Sequence, residues 1–219
     1  MMSAMKTKIK HHIEDRHLLA YSAGALPEAF SLMVATHISL CDRCRAQVEA
    51  YDALGGAVLE AVTDSSDAGL DRALAAIDAV SPEVTPRSEP AKPGVIPAPL
   101  RDYIGGDLDA VRWRPVGLGV RQAILPTSGE ATARLLFIPA GAAVPDHGHR
   151  GTELTMVLQG AFSDETDSFA RGDVETADEA LNHMPVADIS ADCICLAVTD
   201  APLRFNTLLP RLIQPFLRI

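Results

Sequence analysis

The sequence predicts a multi-domain chain of two unlike parts, a small helical bundle followed by an antiparallel β-barrel. Three observations carry that reading. Up to about residue 80 apolar side chains recur at helical spacing, and after residue 100 they fall into short β-rich runs. Between the two, Ser81–Pro99 holds six prolines in 19 residues, which can neither continue a helix nor pair in a central strand. The expected division is a helical domain over 1–80, a stiff extended linker over 81–99 and a barrel domain over 100–219.

Taking the elements in order, a first helix is expected from about Ile13 to Ala23, stopped by Gly24. A second starts at Pro27-Glu28, where proline suits a first turn, and runs towards His37. A third follows Cys44 and carries Val48, Tyr51, Leu54 and Val58 on one face as far as Val62. A fourth, Leu70–Val80, has Leu70, Leu74 and Ile77 at positions i, i+4 and i+7. So small a bundle has little core of its own and calls for a metal or a partner. Beyond the linker, VRWRPV, VRQAIL, ARLLFIP, ELTMVLQG, CICLAV and LRF are separated by Gly, Pro, Asp and Ser clusters, as in a sandwich or barrel. The tail NTLLPRLIQPFLRI reads as a short helix or an edge segment on the barrel.

The 219 residues are 47% hydrophobic, enough for packed cores, and carry a net charge of −10. That charge opposes direct nucleic-acid binding, which needs Lys and Arg against phosphates. The basic start MMSAMKTKIKHH is not followed by an apolar run of signal-peptide length. No window approaches the ~18–20 apolar residues of a membrane helix. A cytoplasmic location follows as the expectation. There the four cysteines, paired as Cys41/Cys44 and Cys193/Cys195, favour metal binding or redox chemistry over structural disulfides.

His37, Cys41 and Cys44 form H-x3-C-x2-C, a set of imidazole and thiolate donors suited to tetrahedral zinc. His37 is expected to end one helix and the cysteines to open the next, across a turn at Ser39-Leu40. A fourth donor is available from His11, His12 or His17. With its context AYSAGALPEAFSLMVATH, this motif resembles the zinc-binding anti-sigma domain. The resemblance implies one zinc ion held by His12, His37, Cys41 and Cys44, His12 standing 25 residues before His37.

The second constellation, Gly141-x5-His147-x-His149-x3-Glu153-x6-Gly160, matches the first cupin motif at each fixed position. Residues two apart on a strand share a face, so His147 and His149 point together into the barrel, and Glu153 joins them if the strand is regular. The second cupin motif keeps its histidine, His183, but has Asp178, Ala180 and Ala187 where the family places Pro, Gly and Asn. Three imidazoles and a carboxylate suit zinc or another divalent transition metal. Cys193 and Cys195 are also two apart on a strand. Two readings stand for them, small buried hydrophobes or a redox-active thiol pair beside the barrel site.

A barrel of this kind does not by itself specify function. The pairing of both motifs across a proline-rich linker resembles the ChrR-type zinc-binding anti-sigma factors. That resemblance implies a non-enzymatic regulator that holds an extracytoplasmic-function sigma factor in a one-to-one complex. Release would follow when the cupin domain senses oxidants such as singlet oxygen. The rival reading is a metal-dependent cupin enzyme, dioxygenase-like, with a regulatory helical domain. A zinc-finger DNA-binding repressor is disfavoured by the acidity of the chain.

Overall fold

The structure is a computed structural model and describes residues 8–62, 69–80, 94–202 and 204–205. Most of the proline-rich stretch (81–93) and the apolar tail (206–219) lie outside the described residues.

Among the described residues four α-helices precede the proline-rich stretch: α1 (Asp15–Ser22), α2 (Glu28–Ile38), α3 (Asp42–Glu60) and α4 (Leu70–Asp78). Gly24, at φ 65°, adopts the left-handed conformation that stops α1. Helix α2 is apolar on all sides and buries seven of its residues, from Ala29 to His37, as a helix enclosed by neighbours must. A fifth helix, α5 (Ala98–Ile104), is a departure from the expected linker. Pro97 caps it and Pro99 lies in its first turn, positions where a missing N–H costs nothing, so these prolines start a helix rather than block one. Ile96 and Leu100 are fully buried there.

Among the described residues twelve strands follow a one-turn 3-10 helix at Leu108–Ala110: β1 (Arg114–Gly117), β2 (Val120–Ile124), β3 (Thr132–Ile138), β4 (His147–Gly148), β5 (Glu153–Gln159), β6 (Ala161–Ser163), β7 (Ser168–Ala170), β8 (Val174–Ala177), β9 (Asn182–His183), β10 (Val186–Ala187), β11 (Cys193–Thr199) and β12 (Arg204–Phe205). They form a six-stranded antiparallel sheet in the order β1-β2-β3-β11-β5-β8 and two three-stranded sheets, β10-β6-β7 and β12-β4-β9.

Every residue of the central strand β11 is buried. One face, with Cys193 and Cys195, joins Val157, Phe162 and Phe169 in the barrel interior. The other, with Ile194, Leu196 and Val198, joins a core that includes Leu18, Phe30, Met33 and Val34 of the helices. The helical region therefore packs directly on the outer face of the large sheet. The second half of α3 and all of α4 leave this core. Leu54, Val58, Leu70, Leu74 and Ile77 are exposed, and α4 buries no residue.

Candidate metal centres

The first site forms where α2 meets α3. The turn after α2 is tight, with the N–H groups of Leu40 and Cys41 both donating to the carbonyl of His37 (2.9 and 2.8 Å). Cys41 caps α3, its sulfur accepting from the Cys44 N–H at 3.5 Å. His12 arrives on an extended arm ahead of α1. Its Nδ1 lies 3.3 Å from Cys41 Sγ and 3.6 Å from Cys44 Sγ, and His37 Nε2 lies 3.3 Å from Cys44 Sγ. All four donor atoms are within 4.8 Å of one another. A tetrahedral zinc with Zn–S of about 2.3 Å and Zn–N of about 2.0–2.1 Å sets its donors roughly 3.3–3.8 Å apart, so the N2S2 set fits.

Electrostatics point the same way. Burial lowers His37 to about 4, so its ring is a neutral ligand at physiological pH. Its Nδ1–H donates to the carbonyl of Gly172 at 3.0 Å, which leaves the Nε2 lone pair facing Cys44. Burial, and then the neighbouring Cys41, push the Cys44 thiol up, so its thiolate form needs a cation beside it. The other two upstream histidines go elsewhere. His17 stacks on Phe30 with ring centroids 6.2 Å apart, and His11 packs on Phe169 of the barrel and reaches Asp167 at 3.0 Å.

The second site lies inside the barrel. Strands β4 and β9 pair so that His147 sits opposite His183, and His149 follows directly after β4. The three rings are buried, with centroids 4.7–5.2 Å apart. His147 Nδ1–H donates to the Pro145 carbonyl at 2.9 Å, and His183 Nδ1–H faces Asp164 (2.9 Å) and Glu175 (3.0 Å). Both rings thus turn Nε2 towards the cluster. His149 Nε2 faces His183 Nε2 at 3.3 Å, and two ring nitrogens so close need a proton or a metal ion between them. His149 Nδ1 is buried without a hydrogen-bond partner among the described residues.

The chain between Gly148 and Glu153 is not a continuous strand, and β4 and β5 belong to different sheets. Regular strand alternation therefore does not by itself relate Glu153 to His147 and His149. Glu153 Oε2 lies 3.8 Å from His149 Nδ1, the side chain accepts from the Thr155 hydroxyl at 3.0 Å, and it is outside the close donor cluster. The carboxylates that group closely with His183 are Asp164 and Glu175, whereas Glu153 is the leading charge acting on His147 and His149. Burial raises Glu175 to about 7. Burial also works against a charged His183 ring, but Glu175 and Asp164 outweigh it and raise His183 to about 9. No spacing rule links these carboxylates to His183: Glu175 is on β8, His183 on β9 and Asp164 between β6 and β7, and the folded barrel brings them together. Cys193 and Cys195 lie in the same interior with their sulfurs 3.5 Å apart. The contact with Cys193, together with burial, raises the Cys195 thiol well above its ordinary value, so it stands protonated.

Comparison with known proteins follows the same division. The family model described as the ChrR Cupin-like domain matches residues 102–202. The Anti-sigma-E factor ChrR of Cereibacter sphaeroides is 59% identical over 215 residues, covering 96% of this chain and 99% of that protein. The crystal structure of Rhodobacter sphaeroides SigE in complex with the anti-sigma ChrR matches with a TM-score of 0.77 and 57% identity, covering 88% of this chain and 100% of the matched chain. With the identity spread over both the helical region and the barrel, the chain belongs to the family of ChrR anti-sigma factors.

Proposed function

We propose that this chain is a cytoplasmic anti-sigma factor that sequesters an extracytoplasmic-function sigma factor in a one-to-one complex. It releases that factor when the cupin domain senses an oxidant such as singlet oxygen. In this reading residues 1–80 are the sigma-binding domain, 81–99 the linker and 100–219 the sensor. The observation that carries it is the near full-length 59% identity to a protein named for anti-sigma-E activity, whose solved counterpart is in complex with SigE.

The surface supports the same reading. Of the 13 large hydrophobic side chains exposed among the described residues, eight cluster between Leu54 and Val80. They include the whole apolar stripe Leu70, Leu74, Ile77 of α4, a helix with no buried residue. An amphipathic helix with nothing on its apolar face is built to lie against a partner. The net charge of −10 fits a protein partner and opposes nucleic acid. Among the described residues no helix is long and apolar enough to cross a membrane.

Zinc in the tetrad His12, His37, Cys41 and Cys44 would supply a closed four-coordinate staple for α1–α3. Zinc or another divalent transition metal at His147, His149 and His183, with Glu153 nearby, would leave coordination positions open to a small oxidant. Within the barrel the chain's own residues orient His183 through Asp164 and Glu175 and hold the sulfurs of Cys193 and Cys195 close together.

The test is co-expression with the sigma factor encoded beside this chain, followed by co-purification and metal analysis. A one-to-one complex is expected, lost in Cys41→Ala and Cys44→Ala. Leu74→Asp with Ile77→Asp is expected to weaken it by roughly 100-fold without changing the fold, as for central apolar anchors of an interface. Recovery of a free protein whose barrel turns over a small substrate would replace this reading with a cupin enzyme.

A further inference from the structure

Four consecutive residues at the entry to β8 touch both donor clusters. The Gly172 carbonyl accepts from His37 Nδ1 at 3.0 Å. Asp173, almost fully buried, accepts through Oδ1 from the N–H groups of Lys10 (2.6 Å) and His11 (2.9 Å) and through Oδ2 from that of Ala170 (2.9 Å). The Val174 N–H closes the contact by donating to the His11 carbonyl at 3.2 Å. The residue that follows His11 is His12, a tetrad donor. Two residues beyond Asp173, Glu175 accepts from His183 Nδ1 at 3.0 Å.

The arm also fits closely. A Cβ placed on Gly172, whose φ is 91°, would come within 2.6 Å of the Ile9 side chain. The stretch is itself held along its length by β5. Gly172 N–H donates to the Val157 carbonyl at 2.8 Å, Val157 N–H donates to the Asp173 carbonyl at 3.1 Å, and Val174 to Thr176 continue the ladder. A strand pinned in this way moves as a unit. Ligand bond lengths tolerate only about 0.2 Å, so a small shift of such a support is felt by the metal.

We propose that Gly172–Glu175 is a bracket shared by the two metal sites. Asp173 is a positioning residue for the His12 arm and Glu175 one for His183, and metal occupancy in the barrel alters the tetrad's hold on its own metal through this strand. The inference rests on the metal reading above. It supplies a route from sensor to helices that does not pass through residues 81–93. Coupling of this kind is reciprocal, so the tetrad also tunes the barrel site.

The experiment uses the full chain loaded with cobalt(II). A thiolate-to-cobalt absorption band reports the tetrad alone, because the barrel triad offers only imidazoles. Affinity at the tetrad is read by competition with a chelator, and barrel occupancy by metal stoichiometry. Asp173→Ala is expected to weaken cobalt binding at the tetrad by about 10–100-fold, the usual effect of removing a group that orients a ligand, with the barrel still loaded. Asp173→Asn keeps the Oδ1 acceptor for the arm and is expected to recover most of that loss. Glu175→Ala and His183→Ala are expected to deplete the barrel and also shift the tetrad's affinity by about fivefold or more, the lower end of typical coupling between sites.

If Asp173→Ala does not fold, Lys10→Pro removes one arm donor without altering the barrel and carries the same expectation. Tetrad affinity within about twofold of wild type in both Asp173→Ala and His183→Ala would overturn the bracket. A wild-type protein with no thiolate band would overturn it together with the zinc reading. A wild-type band with unmoved variants overturns the bracket alone.

Discussion

The tetrad and the triad are both built around buried histidines, yet they offer a metal different things. The tetrad joins two imidazoles and two sulfurs, all four held by one short helical region and its leading arm. That set completes a tetrahedron and leaves no position for another ligand. The triad offers three imidazole nitrogens from the paired strands β4 and β9 and the residue just after β4, with carboxylates placed against the far side of one ring. That set leaves a metal with open positions. The difference suits a division of labour: an ion in the tetrad would hold structure together, and one at the triad would be placed to meet a small molecule.

The largest effect that sharpens this contrast is expected from Cys44→Ala. Structural zinc contributes on the order of 10 kcal/mol to small domains that depend on it. Loss of the tetrad should therefore unfold α1–α3 at temperatures where the wild type is intact, seen as lost helical circular dichroism. Next in size is Leu196→Ala. Its side chain is fully buried in the core shared by β11 and the helices, and truncation is expected to cost about 2–5 kcal/mol. Calorimetry should show both regions lowered together in one transition; two separate transitions would break the idea of a shared core.

A smaller thermal effect is expected from His147→Ala with His149→Ala. The barrel should lose its metal while the midpoint falls by only a few degrees, and oxidant-triggered release of sigma should disappear. An effect on stability as large as that of Cys44→Ala would erase the distinction between the sites. The smallest effect concerns Glu28, which accepts from the Tyr103 hydroxyl (2.8 Å) and the Ser128 N–H (2.6 Å) and so ties α2 to α5 and the β2–β3 loop. The Tyr103 and Ser128 bonds lower Glu28 from its ordinary 4.5. Its contribution is complete above 4.5 and is lost as pH falls through the lowered value. Glu28→Gln should therefore lower the neutral side of the stability curve slightly, leave its most acidic end unchanged, and so flatten the limb between them.

Much of this architecture was legible in the sequence because it rests on local signals. Helices α1–α4 follow from apolar spacing and their stops, and H-x3-C-x2-C places His37 and the two cysteines across a tight turn. The long strands β2, β3, β5 and β11 appear as runs of Val, Ile and Leu. What local reading could not supply came from pairing over long chain distances. Strands of two or three residues, such as β4, β7 and β9, are too short to show alternation. Glu175 meets His183 because β8 and β9 bring them together, and no offset encodes that. Asp173 accepts N–H groups from residues more than 160 positions away, a contact with no side-chain signature in the arm itself. Pro97 and Pro99 look like linker residues in the sequence because proline forbids a helix interior, although it suits a first turn.

Strand β11, buried on both faces, bears on how such chains can be recombined. Ile194, Leu196 and Val198 face a helical layer whose Leu18, Phe30, Met33 and Val34 fill the same core. A regulator assembled by grafting these helices onto another barrel would have to bring a matching sheet surface as well. The two regions are therefore constrained to be inherited as a pair, and substitutions accepted on one side of that core restrict those that the other side can accept.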